Sequence, residues 1–185
     1  MYMKKSVVLS GFKLVMLIAA IMMAGTADAQ STRKEKRLAG DCLEAKEEFI
    51  ATDGLIKNLF ENAYGYVIFP NVGKGGIGIG GAAGNGIVYE KSTVIGKAQL
   101  TQLSIGFQFG GQAYREVIFF ETKEDLARFK ENKIEFAAQA SAIAVTAGVS
   151  ANVKYKDGVM IFTQQKGGLM YEASIGGQKF NYSGF

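Results

Sequence analysis

Glycines are the first residues of this chain whose type and spacing could do chemistry. Eight of them lie between positions 73 and 86, where Gly73-x-Gly75-x-x-Gly78 fits the loose dinucleotide-binding pattern. That chemistry requires a helix directly after the glycines, with its N-terminus facing the pyrophosphate. Here Gly84-Asn85-Gly86 follows and predicts a turn before a second strand. We therefore expect no dinucleotide site, and the P-loop sequence is absent from the chain.

The spacing inside the glycine block predicts that these are strand glycines. Gly76, Gly78 and Gly80 alternate with Ile77 and Ile79, which places the glycines on one strand face and the isoleucines on the other. A bare strand face marks a bend, a bulge or the close approach of another backbone or a ligand. Tight sheet packing and direct contact with a ligand are both open interpretations of the block.

The chain lacks the residues on which most catalytic sites depend. It has no histidine, one cysteine and no serine within a Gly-x-Ser-x-Gly elbow, which excludes the common hydrolase dyads and a structural zinc site. The adjacent acids Glu124 and Asp125 follow Thr122 in a capping pattern, which assigns them to a helix start. We predict a protein that is not an enzyme and has no cofactor or metal site. A hydrolase built on two distant carboxylates is the remaining catalytic alternative.

The first 29 residues have the organisation of a secretory signal peptide. Three lysines within the first 13 residues precede eleven consecutive apolar residues from Leu14 to Ala24. Ala27-Asp28-Ala29 then provides a small-residue cleavage site. We predict cleavage before Gln30 and export to the periplasm or the cell envelope, with full secretion as an alternative.

The exported part is predicted to contain a basic arm, residues 30–37, and a single domain, residues 38–185. Four basic residues form the arm: Arg33, Lys34, Lys36 and Arg37. Each could contribute up to about 1 kcal/mol of attraction to an anionic membrane surface, and a solvated disordered terminus is the alternative. Residues 30–185 hold 18 basic and 16 acidic residues, a balance that excludes nucleic acid as an expected partner. The lone Cys42 is expected to be a buried, small apolar residue.

Residue periodicity predicts helices before a sheet. Apolar residues at spacings of three and four over 38–62 predict one or two amphipathic helices, with a break at Asp53-Gly54. Strands are expected from Tyr66 onward, with a short helix from Thr122 to about Lys133 and a hairpin at Asp157-Gly158.

Two further segments are predicted to be extended. Leu103 and Ile105 alternate with Gln102 and Ser104, which predicts a buried apolar face and a wet polar face. Residues 134–151 are expected to be extended rather than helical. The fold class is therefore α+β, with N-terminal helices packed on a strongly bent, mostly antiparallel, glycine-rich β-sheet. Closure of this sheet into a barrel is left open.

The order of these motifs resembles the SYLF domain family, also called the Ysc84-type or DUF500 domain, over most of residues 50 to 180. The motifs that carry the resemblance are the lead-in Ala63-Tyr64-Gly65-Tyr66-Val67-Ile68-Phe69-Pro70, the glycine block with Lys74, the segment from Leu103 to Gly111, Ala147-Gly148-Val149, and Lys166-Gly167-Gly168-Leu169-Met170-Tyr171-Glu172.

The resemblance implies a lipid-binding module, since eukaryotic members resemble phosphoinositide binders at membranes and some are linked to actin. The expected function is thus non-enzymatic binding of anionic phospholipid at a membrane of the cell envelope. Actin is not expected as a partner, because the chain carries an export signal. A structural or adhesion-type envelope protein that acts through protein contacts is the alternative.

Six residues are the candidates for lipid contact. Ile77 and Ile79 would offer apolar surface to a lipid chain. Four basic residues are placed to bind a phosphate as point charges or as a bidentate fork: Lys74, Lys97, Arg115 and Lys166. Ordinary solvent exposure is the alternative for each lysine.

Overall fold

The computed structural model describes residues 32–77, 79–105, 112–134, 141–144, 153–166 and 172–185. These residues form three helices and eight strands. The helices are α1 (32–52), α2 (Ile56–Asn62) and α3 (Lys123–Lys130). The strands are β1 (Gly65–Ile77), β2 (Ile79–Glu90), β3 (Thr93–Ile105), β4 (Gln112–Phe120), β5 (Ser141–Ala144), β6 (Val159–Gln165), β7 (Glu172–Ser174) and β8 (Gln178–Gly184).

One sheet contains all eight strands in the order β7-β5-β6-β4-β1-β2-β3-β8. Its strand pairs are antiparallel except for β5 with β6. Residues 38–185 form one compact unit, and the predicted α+β class is confirmed. Among the described residues β7 and β8 are the sheet edges and do not pair with each other, so the sheet is not closed into a barrel.

The sheet carries a hydrophobic core on each face. We call the face covered by α1 and α2 the outer face, where Cys42, Phe49 and Phe60 pack on strand residues such as Ile68 and Phe119. The opposite, inner face is covered by α3 and by the inward curl of β8. Its core contains Val67, Phe69, Ile118, Phe120, Leu126, Phe129 and Phe180.

Aromatic contacts show how strongly the sheet bends. The Phe69 ring of β1 lies 5.9 Å from the Phe180 ring of β8, centroid to centroid. Three strand spacings separate these strands in the sheet order, which is about 14 Å in a flat sheet. The contact exists because the sheet rolls inward, so that β8 covers the inner face together with Phe129 of α3, whose ring lies 5.1 Å from that of Phe180.

The glycine block forms strands, but the predicted turn at Gly84-Asn85-Gly86 is wrong. These residues lie inside β2, whose register with β1 runs through to the pair Ile77 and Ile79. A Cβ at Gly86 would lie 2.5 Å from the carbonyl oxygen of Ile68 and 2.7 Å from Cδ1 of Phe69. Glycine is needed at this strand position because the Phe69 ring and the β1 backbone occupy the space. Tight packing therefore explains Gly86.

The predicted burial of the β3 faces is reversed at two residues. Gln102 is 4% exposed, whereas Leu103 is 81% exposed. Ala98 and Leu100 are buried on the inner face, and the two-residue period of a strand places Gln102 on that face and Leu103 on the other. The alternation was correct, and the choice of buried face was wrong.

Local signals in the sequence correctly predicted several element boundaries. Asp53 ends α1 and accepts a hydrogen bond from the Leu55 amide at 3.0 Å. Thr122 and Asp125 form a reciprocal capping box at α3. Asp157 and Gly158 have φ angles of 52° and 77°, as a two-residue hairpin turn requires. Within 134–151 the described strand is β5, and the remaining positions from 135 to 140 and from 145 to 151 lie outside the described residues.

The helices of the described residues are all too short or too polar to cross a bilayer.

Candidate functional site

The predicted lipid-contacting residues do not converge on one site. Lys74 is half-buried on the inner face, where it pairs with Ala82 of β2. Lys97 lies on the outer face of β3, opposite Ile87. Ile77 and Ile79 pair across the β1–β2 hairpin, and their side chains lie outside the described part of the structure.

The other two predicted residues make structural contacts. The Arg115 guanidinium lies 3.7 Å from a carboxylate oxygen of Glu44 on α1 and 3.2 Å from Oε1 of Gln164 on β6. Its side chain is only 12% exposed, so it is enclosed between α1 and the sheet. The Lys166 ammonium donates to Oδ1 of Asn71. Arg115 therefore joins α1 to the sheet, and Lys166 joins the end of β6 to β1.

No described helix or strand covers the outer face over part of β2, β3 and β8, and we call this part the open face. Its exposed residues are small or polar apart from Leu103 and the terminal Phe185: Ala83, Asn85, Gln99, Thr101, Leu103, Lys179, Asn181, Ser183 and Phe185. The register aligns Asn85 with Gln99 and Gln99 with Asn181 in one row across the three strands. Because the sheet rolls toward its inner face, the open face is convex, and most of its side chains are short.

The open face has a cation and an apolar side chain near each end. At one end the Lys97 ammonium lies 5.2 Å from the ring centroid of Phe185, which is 73% exposed. Toward the other end Lys179 pairs with Thr101, two residues before the exposed Leu103. Lys97 and Leu103 are six residues apart, or about 20 Å along an extended strand. None of the described residues of this face is acidic.

The basic residues of the predicted arm lie in the first turns of α1. Arg33, Lys34, Lys36 and Arg37 are helical and exposed. They present four positive charges on the surface of that helix.

A second group of polar residues is buried on the inner face around Glu116 of β4. Glu116 is 0% exposed and accepts a hydrogen bond from Nε2 of Gln178 at 3.0 Å. Burial raises the pKa of the Glu116 carboxyl to about 7, and the hydrogen bond from Gln178 acts in the opposite direction. Burial and the neighbouring Glu116 also raise the pKa of the Tyr114 phenol above its ordinary range, against the effect of the nearby Gln178.

Comparison with known proteins shows a family similarity over part of the chain. Residues 101–182 match the family described as "Ysc84: Las17-binding protein actin regulator". The resemblance to the Ysc84 (SYLF) family that the sequence motifs indicated is confirmed over these residues. Beta cell expansion factor A of Aeromonas veronii is 28% identical over 127 residues, which are 67% of this chain and 48% of that protein. The chain thus spans about half the length of the curated relative that it matches.

Sequence reasoning missed two residues that the structure places in these sites. Lys179 has no distinguishing local pattern, because only its cross-strand pairing with Thr101 places it on the open face. For Glu116 the sequence did contain a signal of burial. It is in phase with Ile118 and Phe120 in a run of buried strand residues, so the two-residue period places its carboxyl inside the protein.

Proposed function

We propose that this SYLF domain binds anionic phospholipid membranes without catalysing a reaction, and that the open face is its contact surface. The supporting observation is the combination on one surface of Lys97 and Lys179 with the exposed side chains of Leu103 and Phe185. A membrane surface with negative headgroups complements the charges, and the apolar side chains suit the boundary between headgroups and acyl chains.

The magnitudes favour weak, salt-sensitive binding. A lysine near an anionic surface contributes about 1 kcal/mol, and this attraction decays within a Debye length of about 10 Å at 0.1 M salt. Complete burial of a leucine or phenylalanine side chain contributes about 1.5–3 kcal/mol. Two lysines and two apolar side chains therefore supply enough free energy for reversible association. The exposed basic residues of α1 would add further attraction of the same kind.

Co-sedimentation with vesicles tests this proposal. The purified protein is mixed with vesicles of phosphatidylcholine alone or of phosphatidylcholine with phosphatidylglycerol, at low and at high salt. We expect binding to the anionic vesicles at low salt that weakens as salt increases. Equal binding to both vesicle types in high salt, or binding to neither, would contradict the proposal.

Charge reversal locates the contact surface. Lys97→Glu with Lys179→Glu removes two attractive charges and adds two repulsive ones, so we expect affinity for anionic vesicles to fall roughly a hundredfold to a thousandfold. The matched control is Lys57→Glu with Lys154→Glu, which makes the same change in net charge at exposed positions on α2 and in the segment before β6. Similar losses in both double variants would mean that net charge, rather than the open face, determines binding.

The predicted signal peptide would bring the protein to membranes of the cell envelope, where anionic phospholipid is available. In this proposal the partner is the lipid surface, and actin has no part in it.

A further inference from the structure

Five oxygen atoms around Glu116 are sealed from solvent and have no hydrogen-bond partner among the described residues. They are Tyr114 Oη, Glu116 Oε1, Thr163 Oγ1, Gln165 Oε1 and Gln178 Oε1. An unpaired buried polar group costs about 1–3 kcal/mol, so native proteins rarely leave several together. Five such oxygen atoms in one region suggest that a ligand binds among them.

The strand register makes the side chains that carry these atoms neighbours. Glu116 lies opposite Thr163, and Tyr114 lies opposite Gln165, on the paired strands β4 and β6. Side chains of such pairs start from Cβ atoms about 4.5–5.5 Å apart. The inward roll of β8 adds the fifth residue, because the amide of Gln178 reaches the Glu116 carboxylate at 3.0 Å. Glu116 and Thr163 are 0% exposed, and Tyr114 and Gln178 are each 2% exposed.

The chemistry of the group selects its occupant. Three of the five atoms are carboxylate or amide oxygens, which only accept hydrogen bonds, and two are hydroxyl oxygens, whereas the nitrogen of Gln178 is already used in its bond to Glu116. Hard cations take carboxylate, amide and hydroxyl oxygens as ligands. A buried carboxylate that stays ionised needs a compensating positive charge, which one monovalent cation supplies. The described part of the chain places no group of three or more His, Cys, Asp or Glu residues together, so the donor set does not match a transition metal.

We propose that Tyr114, Glu116, Thr163, Gln165 and Gln178 form an internal binding site for a monovalent inorganic cation, Na⁺ or K⁺. The cation would neutralise Glu116 and hold β8 against β4 and β6. The closest described cationic side chain on the inner-face register is Lys74, which pairs with Gln112, two residues before Tyr114. Lys74 makes no hydrogen bond or ion pair with a described residue and is the competing source of positive charge.

The first test measures bound ions directly. The purified protein is dialysed at pH 8 against NaCl, KCl or tetramethylammonium chloride, and bound Na⁺ and K⁺ are measured by elemental analysis. We expect about one equivalent of Na⁺ or K⁺ in the wild type and in Glu47→Gln, which removes an exposed carboxylate on α1, and none in Glu116→Gln. Less than a tenth of an equivalent in the wild type would overturn the proposal and assign the site to buried water or to a protonated Glu116.

The second test uses stability in the same salts. A ligand present at ten times its dissociation constant raises the folded-to-unfolded ratio about tenfold, so the preferred cation should raise the Tm above its value in tetramethylammonium chloride at equal ionic strength. Thr163→Val removes one oxygen and keeps the side-chain shape, and we expect it to weaken the cation-dependent rise at least threefold. An equal rise in wild type, Thr163→Val and Glu116→Gln would show a general salt effect and overturn the site. In Lys74→Met the cation-dependent rise in Tm should be the same as in the wild type. A rise several times larger in this variant would show that the Lys74 ammonium occupies the site in the wild type, and it would overturn the proposal.

Discussion

Substitutions in the glycine block test whether close packing requires glycine at position 86. Gly86→Ala places a Cβ 2.5 Å from the Ile68 carbonyl oxygen and 2.7 Å from Phe69 Cδ1. Neither neighbour can move freely, because the Ile68 carbonyl belongs to the backbone of β1 and the Phe69 ring is fully buried against Phe180. Overpacking of this kind costs about 1–3 kcal/mol.

Gly73→Ala is the matched control in the neighbouring strand. Nothing lies within 4 Å of a Cβ at Gly73, and its φ is not among the positive values. Replacing a glycine at a compatible position stabilises a protein by about 0.4–1 kcal/mol, because the unfolded chain loses conformational freedom. The two substitutions should therefore change stability in opposite directions.

Urea denaturation followed by circular dichroism measures both variants. We expect the free energy of unfolding to fall by about 1–3 kcal/mol in Gly86→Ala and to stay level or rise in Gly73→Ala, with the same dependence on urea concentration. Equal stability of the two variants would refute the argument that Phe69 and the β1 backbone require glycine at position 86.

Two further predictions concern residues whose roles the structure assigns to packing. Arg115→Gln should lower the free energy of unfolding by about 1 kcal/mol through loss of contacts with Glu44 and Gln164, while binding to anionic vesicles stays within twofold; a hundredfold loss of vesicle binding would return Arg115 to the lipid site. Burial raises the pKa of the Cys42 thiol from 9.0 to about 12, so at pH 8 its thiolate fraction is about a thousandfold below that of an exposed thiol. Ellman's reagent should react with Cys42 in urea and not in the folded protein, and rapid reaction without urea would contradict its burial.

Much of the fold follows from short-range patterns in the sequence. The break at Asp53, the capping box at Thr122 and the hairpin at Asp157-Gly158 depend on residues within a few positions of each other, and sequence alone predicts them. The sequence did not predict which face of β3 is buried, because Gln102 and Leu103 alternate in the same way whichever face that is. Its phase depends on β8, which pairs with β3 and curls over the inner face.

The candidate site was harder to predict because distant contacts build it. Lys97 and Lys179 share the open face only through the β3–β8 register, and Gln178 meets Glu116 across 62 positions of sequence. The four basic candidates were chosen for charge, which does not distinguish a lysine on the open face from an arginine enclosed under a helix. Pairing partners, rather than residue type, separate Lys97 from Arg115.

The most direct test of the account places a polarity-sensitive dye on the open face. Cys42 is buried, so Leu103→Cys introduces a single accessible thiol for labelling, and Leu43→Cys on an exposed part of α1 provides the matched control. Addition of phosphatidylglycerol-containing vesicles should shift the emission at position 103 to shorter wavelength and leave position 43 unchanged. No shift at position 103 under conditions where the protein sediments with these vesicles would contradict the open face as the membrane contact.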